Sequence, residues 1–181
     1  IRSQGCTLAF PTIVAIGKNA ATPHHLTSNT VLRRGFLLLD FGARYKHYCA
    51  DMTRMIFLGT PTKKEKYWYD LLLNAQKKAI AAVAEGVSFK KLDKIARDEL
   101  EKFKRNFIHS LGHGIGIEVH ESPVFSDKSQ KIVRNIPFTI EPGIYFPGKF
   151  GLRIEDTVFF DGDQTQVLTI APKNLIFVPK P

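Results

Sequence analysis

Four acidic residues stand inside segments that otherwise have the composition of buried β-strands, and this feature constrains the fold most. Asp40 ends an apolar run, and Asp51 lies in the strand-forming segment 48–58. A hairpin turning at residues 45–46 would place the two aspartates directly opposite each other. Like charges so paired destabilise a sheet unless a cation lies between them. Taken singly, Asp40 could instead cap a turn and Asp51 could pair with Arg54.

A second predicted hairpin repeats this arrangement with glutamates. Glu141 follows the strand-forming segment 136–140, and a turn centred on Gly148 would place Glu155 opposite it. Taken singly, Glu155 could pair with Arg153, and Glu141 could be an acid at a strand edge. Four carboxylates that converge in a core carry a large free-energy cost unless cations compensate them. The two hairpins together therefore predict a cation site.

Histidine is the other ligand type that the chain concentrates. Three of its six histidines, His109, His113 and His120, lie in the glycine-rich segment 109–120. Glycine allows the backbone to approach a bound group closely. The Gly-x-Gly-x-Gly string in this segment lacks the spacing and the strand–helix context of a dinucleotide-binding loop, which disfavours a phosphate site.

Oxygen ligands with one or two imidazoles suit a pair of divalent metal ions. Mn²⁺ and Co²⁺ are the expected ions, with Fe²⁺ and Zn²⁺ as alternatives, whereas a structural zinc would require cysteine or more histidine. Two such ions about 3.5–4 Å apart can activate water and clamp the reacting oxygens. The predicted reaction class is metal-assisted hydrolysis.

Helix signals separate the two predicted hairpins. Thr62-x-x-Glu65 is a capping-box pattern, and apolar residues at helical spacing follow it. Ser88 is placed to cap a second helix. Paired strands with two helices between them predict an α+β fold.

Length, charge and cysteine content exclude several classes of protein. The 181 residues suffice for about one domain, and no apolar stretch is long enough to cross a bilayer. Two cysteines and no leader-like start favour a reducing, cytoplasmic setting, without a membrane partner. The net charge of +9 raises nucleic acid as a partner, but the basic residues concentrate in segment 63–105 at spacings typical of solvated helices. We therefore expect no nucleic-acid partner.

The four acids and one of the histidines match a known family in order and spacing. Asp40, Asp51, His113, Glu141 and Glu155 resemble the metal ligands of the methionine-aminopeptidase and prolidase group, the "pita-bread" metallopeptidases of peptidase family M24. They lie in the motifs LLLDFGARYKHYCADMTR, HSLGHGIGIEVHE and TIEPGIYFPGKFGLRIED, and the resemblance extends from Phe10 to Val178.

The resemblance implies an α+β pita-bread fold, in which helices cover the outer face of a curved antiparallel sheet. It also implies that residues 1–181 are the catalytic domain, without the amino-terminal helices of that domain and without the separate amino-terminal domain of the family. The full-length protein would be a homodimer.

Within the family, the Arg-Ile-Glu-Asp sequence at 153–156 resembles the branch that contains prolidases and aminopeptidases P. That similarity implies hydrolysis of the Xaa-Pro bond in a short peptide with proline at its second position. It also implies that Arg153 supports the metal site or the charged end of the substrate. Thr53 would orient a metal ligand.

The same similarity gives roles to the residues that would contact the substrate. His24 would shuttle a proton or stabilise the intermediate, and His120 would contact the scissile peptide or the proline side. His109 would line the pocket. Glu141 would be both a metal ligand and the general base.

Xaa-Pro dipeptidase is the leading functional hypothesis, and Xaa-Pro aminopeptidase is the alternative within the family. A hypothesis of another class is a catalytically silent pita-bread module that binds peptides, histones or nucleic acid. Such modules have typically lost metal ligands, whereas this chain has all five, so the silent module ranks behind the enzyme.

Overall fold

The computed structural model describes residues 1–125 and 130–179. Both helices begin where the capping patterns predict. Helix α1 spans Lys63–Ala81, and its N-cap Thr62 exchanges hydrogen bonds with Glu65 in a complete capping box. Helix α2 spans Phe89–Glu99, and the Ser88 side chain accepts a hydrogen bond from the backbone of its first turn. Short 3₁₀ helices occupy Arg2–Gln4, Gly17–Ala21 and Glu101–Asn106.

The strands of the described residues are numbered in chain order. The first eight are β1 (Thr7–Leu8), β2 (Ile13–Ile16), β3 (Gly35–Phe41), β4 (Ala43–Tyr45), β5 (Tyr48–Cys49), β6 (Met52–Leu58), β7 (His113–Gly114) and β8 (Glu121–Val124). The others are β9 (Ile136–Ile140), β10 (Gly143–Phe146), β11 (Phe150–Arg153), β12 (Asp156–Phe160), β13 (Thr165–Val167) and β14 (Ile176–Val178).

These strands form two larger and two smaller sheets. One larger sheet has the order β14-β6-β3-β2, and the other has the order β13-β12-β9-β7-β8. The smaller sheets are β1-β4-β5 and the hairpin β10-β11. Their pairings are antiparallel apart from β14, which runs parallel to β6. The fold is α+β, as predicted, with this one parallel pair in an otherwise antiparallel arrangement.

The predicted register of the first hairpin is wrong by two residues. Asp40 pairs with Thr53 across β3 and β6, and Asp51 precedes β6. The turn lies at Lys46 and His47, which both adopt positive φ angles, so it is centred one residue later than predicted. Because side chains alternate between the faces of a sheet, a shift of two residues keeps Asp51 on the face of Asp40.

The predicted register of the second hairpin is confirmed. Gly143 pairs with Arg153 in the β10–β11 ladder, and Ile140 pairs with Asp156 in the β9–β12 ladder. Glu141 and Glu155 lie in the interval between these two ladders. The positive φ of Gly148 in the turn explains why this register was the more predictable one.

The apolar core lies between the helices and the sheets. Helix α1 packs against α2 and contacts β9 and β11. Its fully buried side chains include Leu72, Ala75 and Ala79, and the core extends through Phe89 and Leu92 of α2. Within the described part of the chain, neither helix has both the length and the apolar character needed to cross a bilayer.

Candidate metal centre

Five strand ends and loops bring the predicted ligands to one cavity of about 910 Å³. One potential ligand atom from each of Asp51, His113 and Glu155 lies within 4.8 Å of the other two. His113 Nε2 is 3.3 Å from Glu141 Oε1 and 3.8 Å from Asp51 Oδ2. Asp40 lines the same cavity. The two hairpins and the glycine-rich segment therefore converge at one place.

Burial gives these carboxyl groups unusual proton affinities. Burial, together with the charges of Asp40 and Glu141, raises the pKa of Asp51 to about 8. Burial, together with the charges of Asp51, Glu141 and Asp40, holds the pKa of Glu155 well above its ordinary value. Burial also raises the pKa of Asp40, although the Arg153 charge opposes the increase. The cluster thus resists full ionisation unless more positive charge is present.

Glu141 behaves differently from the other three acids. Burial opposes its ionisation, but the hydrogen bond and charge of His113, with His109 and Arg153, lower its pKa below the ordinary value. Its Oε1 also accepts a hydrogen bond from Thr139 Oγ1 at 3.2 Å. Glu141 is therefore the acid of this cluster that most readily carries a negative charge.

Three carboxylate oxygens of the cluster fit the coordination of cations. Asp40 Oδ1, Asp51 Oδ1 and Glu155 Oε1 are buried and have no hydrogen-bond partner within the described structure. A buried acceptor without a partner costs about 1–3 kcal/mol. Divalent ions of the Mn²⁺ type prefer carboxylate oxygens as ligands. The donor set present therefore fits the expected ions.

The tautomer of His113 also suits a metal ligand. Its Nδ1 lies 3.0 Å from the carbonyl oxygen of Gly114, which can only accept a hydrogen bond. Nδ1 therefore carries a proton. When the ring is also protonated at Nε2, that nitrogen donates to Glu141 Oε1, and a bound metal would take the place of the Nε2 proton. A ligand histidine usually has its second ring nitrogen held in this way. Burial opposes protonation, but Glu141 raises the pKa of His113, so a proton competes with a metal for Nε2.

Arg153 and Thr53 connect the carboxylates behind the cavity. Arg153 Nη2 donates to Asp40 Oδ2 at 2.5 Å, and its Nε donates to Thr53 Oγ1 at 3.0 Å. Thr53 Oγ1 donates in turn to Glu155 Oε2 at 2.6 Å. Arg153 is thus paired with Asp40 and not with Glu155. The other simple pairing, Asp51 with Arg54, is also absent from the described contacts.

A second chain of hydrogen bonds extends from Arg153 to His109. Arg153 Nη1 donates to Tyr145 Oη at 3.0 Å, and Tyr145 Oη lies 2.8 Å from His109 Nε2. His109 Nδ1 lies 2.8 Å from the carbonyl oxygen of Ser110, so Nδ1 carries the proton and Tyr145 donates to Nε2. Burial lowers the pKa of His109, which favours this neutral form.

The two remaining predicted histidines lie at the mouth of the cavity. His24 and His120 are exposed side chains that line it. The ring of His120 is 4.1 Å from that of His113, measured between centroids. The carbonyl of Pro23 accepts a hydrogen bond from Arg153 at 3.2 Å, which ties the backbone next to His24 to the metal-site network. All of the predicted site residues therefore lie in or beside one cavity.

Comparison with known proteins gives the family. The model of metallopeptidase family M24 matches residues 1–161, which is most of the chain. The chain belongs to this family. Similar structures also place it in the pita-bread fold: it superimposes on an X-Pro aminopeptidase from Thermotoga maritima with a TM-score of 0.93 and 42% identity, covering 98% of this chain and 52% of that one.

Relatives of this M24 chain include dipeptidases. A curated Xaa-Pro dipeptidase from Pyrococcus furiosus is 42% identical over 172 residues, which cover 93% of this chain and 49% of that protein. A prolidase structure from Pyrococcus furiosus matches with a TM-score of 0.88 and 41% identity, covering 91% of this chain and 50% of that one. The chain therefore spans about half the length of the relatives that it matches.

Buried polar residues beside the M24 site were not among the predicted site residues. They are Tyr145, Gln76, Arg54 and Asp156. Arg54 donates to Asp156 Oδ1 at 2.6 Å and to the carbonyl of Glu155 at 2.5 Å, so it supports a candidate ligand from behind. Two of them could be noticed in the sequence as polar residues in apolar surroundings: Arg54 in the apolar segment of β6 and Gln76 on the apolar side of α1. The sequence does not show which residues they contact.

Proposed function

We propose that this M24 chain carries the catalytic centre of an Xaa-Pro dipeptidase that uses two divalent metal ions. The observation that carries the proposal is the convergence of four acids and one histidine, with three buried carboxylate oxygens lacking hydrogen-bond partners. The names of similar proteins support the substrate class. The ligands would be Asp40, Asp51, His113, Glu141 and Glu155. Mn²⁺ and Co²⁺ are the proposed ions.

Divalent ions bound at this centre would polarise the scissile carbonyl and lower the pKa of the attacking water. Glu141 is the proposed general base, because its lowered pKa keeps the carboxylate ionised and therefore able to accept a proton. The proton would then pass from the carboxylate to the nitrogen of the leaving proline. Thr53 and Arg153 would keep Glu155 and Asp40 oriented during this transfer.

The histidines around the cavity would act on the substrate. His24 and His120 line the cavity mouth, where their ring N–H groups can donate to a carbonyl oxygen that gains negative charge. Both nitrogens of His109 are already engaged, so His109 would contribute a neutral wall of the pocket. We propose His24 and His120 as the residues that stabilise the developing charge.

The rest of the cavity wall suits the side chains of a short peptide. Apolar residues from the β2 edge and from the β8 region line it, including Phe10, Ile13, Val119 and Phe125. Such a wall can bury a proline ring and an apolar neighbouring side chain, and it excludes water from the reacting bond. The proposed substrate is a dipeptide with proline at its second position.

Xaa-Pro aminopeptidase action is the second candidate function. A similar structure, 42% identical to this chain, is named an X-Pro aminopeptidase. The two activities differ in whether the substrate continues beyond proline. An Xaa-Pro dipeptide and an Xaa-Pro-Xaa tripeptide of the same first residue distinguish them. Faster turnover of the dipeptide supports the dipeptidase, and faster turnover of the tripeptide supports the aminopeptidase.

The deciding experiment is a calorimetric titration of the metal-free chain with Mn²⁺, repeated with Co²⁺. We expect about two ions per chain, followed by hydrolysis of an Xaa-Pro substrate. The Asp51→Asn variant should lose metal binding and turnover together. A folded wild-type chain that binds no ion would contradict the proposal and would favour the silent binding module. Salt-sensitive binding of nucleic acid in that case would identify its partner.

Four other expectations stay predictions. They are a homodimer of the full-length protein, the absence of a nucleic-acid or membrane partner, a cytoplasmic location, and the assignment of residues 1–181 to one catalytic domain. Analytical ultracentrifugation of the full-length protein tests the first. Sedimentation as a monomer would contradict it.

A further inference from the structure

We propose that Gln76, a residue of helix α1 outside the cavity, is a positioning residue for the two glutamates of the metal centre. The inference rests on the proposed function, because it takes Glu141 and Glu155 as metal ligands. Gln76 itself would touch neither the ions nor the substrate. It would act through the backbone that carries the two glutamates.

The Gln76 amide bridges the two strands immediately before these glutamates. Its side chain is fully buried, and Nε2 lies 3.2 Å from the carbonyl oxygen of Ile140 and 3.3 Å from that of Ile154. Nε2 also lies 3.1 Å from Asp156 Oδ2. One amide group thus shares its two N–H bonds among three acceptors, all next to a candidate ligand in the chain.

The same peptide groups are held at their other ends. The N–H of Glu141 donates to the carbonyl of Leu111 at 2.7 Å, and the N–H of Glu155 donates to the carbonyl of Thr53 at 3.2 Å. Each peptide group that precedes a glutamate is therefore fixed at its carbonyl by Gln76 and at its N–H by a neighbouring segment. Fixing both ends of a peptide group sets the direction in which the following side chain leaves the backbone.

The topology explains why this support is needed at this point. The β9–β12 ladder ends at Ile140 and Asp156, and the β10–β11 ladder begins at Gly143 and Arg153. The two glutamates lie in the interval, where neither ladder pairs them. Gln76 reaches this interval from the helix side and joins its two strands.

The choice of a polar residue at this position also favours a positioning role. Gln76 lies among the buried apolar residues of α1, including Leu72, Ala75 and Ala79. Its Oε1 is buried without a hydrogen-bond partner in the described structure, which carries a free-energy cost. An apolar side chain of similar length would avoid that cost. The amide is therefore better explained by the carbonyl oxygens that it binds than by packing.

The test compares metal binding by wild type, Gln76→Met and the control Leu72→Met. Methionine matches the length of glutamine but cannot donate, and Leu72 is a fully buried residue one turn earlier on the same helix. In calorimetric titration with Mn²⁺, Gln76→Met should bind at least one ion more weakly than wild type, by a factor of about ten or more. The visible spectrum of bound Co²⁺ should change in the same variant. Leu72→Met should match wild type in both readouts.

Three outcomes would overturn the inference. Gln76→Met could bind both ions with wild-type affinity and an unchanged Co²⁺ spectrum, or Leu72→Met could weaken binding equally, which would indicate a general packing effect. A folded wild-type chain that binds no ion would contradict the proposed function and remove the inference with it. Binding of two ions by wild type separates the failure of the inference from that of the proposed function.

A measurement on the wild-type chain decides the matter if Gln76→Met does not fold. The ¹⁵N-labelled chain is titrated with diamagnetic Zn²⁺ while the side-chain amide signals of Gln76 and of Asn74, on the same helix, are followed by NMR. The Gln76 signals should shift as the metal binds, and those of Asn74 should not. Unshifted Gln76 signals in a metal-loaded chain would overturn the inference.

Discussion

Arg153 joins three parts of the candidate metal centre through a single guanidinium group. It donates to the carboxylate of Asp40, to the hydroxyl of Thr53 that holds Glu155, and to the phenol oxygen of Tyr145. The planar fork of arginine makes such simultaneous contacts possible, whereas lysine offers one point charge. Although burial opposes the charged form of Arg153, the neighbouring Tyr145, Asp40, Glu141 and Glu155 raise its pKa, so the guanidinium stays charged.

Removing this guanidinium should destabilise the metal-free chain. Arg153→Met leaves Asp40 buried without its cation, and breaking a buried ion pair by removing one partner costs about 3–5 kcal/mol. Urea denaturation of the metal-free chain measures the change in free energy of unfolding. Arg153→Lys keeps the charge and should lose less stability. Equal losses in the two variants would contradict a role for the charge.

The pKa of Asp51 predicts how the stability of the metal-free chain depends on pH. Its folded-state pKa of about 8 lies above the unfolded-state value, so its contribution to stability is complete at low pH and is lost as pH rises to 8. The melting temperature of the metal-free chain should therefore fall between pH 5 and pH 8. For a chain of this size, a loss of about 2 kcal/mol corresponds to roughly 4–8 °C.

Calorimetry of the metal-free chain at several pH values checks this expectation. The Asp51→Asn variant is the matched control, because it cannot ionise at this position, and its melting temperature should depend less on pH. Excess Mn²⁺ should reverse the trend in wild type, since deprotonation favours metal binding. A decrease in the variant as steep as that in wild type would show that Asp51 is not the responsible group.

Local hydrogen bonds secure the start of helix α1. Glu65 accepts from the Thr62 backbone at 2.7 Å in the capping box. The same carboxylate accepts two hydrogen bonds from Arg34, at 2.9 and 2.6 Å. Although burial opposes it, these contacts lower the pKa of Glu65. The cap therefore links the helix to the segment before β3.

Thr62→Ala should cost about 1 kcal/mol, the usual contribution of a helix N-cap side chain. The change removes the acceptor for the Glu65 backbone N–H. Urea denaturation measures the difference, and the cap of the second helix, Ser88→Ala, provides a comparison of the same kind. Metal binding should be unchanged in both variants, because neither cap touches the cavity. Loss of metal binding in Thr62→Ala would contradict this separation of cap and site.

At the scale of the whole molecule, the segment after β13 supplies hydrogen-bond partners to the buried groups next to the candidate metal centre. Arg54 donates to the carbonyl groups of Thr169 and Ala171, and the Lys173 ammonium donates to Asp156 Oδ2 at 2.6 Å. The Tyr69 hydroxyl of α1 donates to the carbonyl of Lys173 at 2.8 Å. Residues of a segment that does not line the cavity thus complete the set of partners of the buried Asp156 carboxylate.

Lys173→Met should destabilise the chain by about 1–3 kcal/mol, because it removes a charged donor from a fully buried carboxylate. Lys149→Met, at an exposed position in the β10–β11 turn, is the control and should be nearly neutral. Thermal unfolding of the metal-free chain compares the two. Equal melting temperatures for the variants would mean that the other donors to Asp156, which are Arg54, Gln76 and Thr169, satisfy this carboxylate without Lys173.

Local patterns in the sequence determined the helix starts, the second hairpin and the four acidic candidate ligands, whereas the choice of His113 came from the resemblance to the family. Thr62 and Ser88 cap backbone groups within three residues, and Gly148 adopts the positive φ that its turn requires. Acids inside apolar strands pointed to cations because buried charge is costly without them. Caps and turns depend on residues that are close in the sequence, and an acid inside an apolar segment indicates a buried charge. Both kinds of pattern can therefore be recognised from the sequence.

The tertiary structure alone decided the first register and the partners of the buried polar groups. The turn at Lys46 and His47 has no glycine to mark it, so only the packing of β3 on β6 determines which residues pair. Gln76 reaches strands 64 and 78 residues farther along the chain, and Thr53 reaches Glu155 across 102 residues. Donors and acceptors so far apart carry no mutual pattern in the sequence, because their pairing exists only once the sheets and α1 have packed.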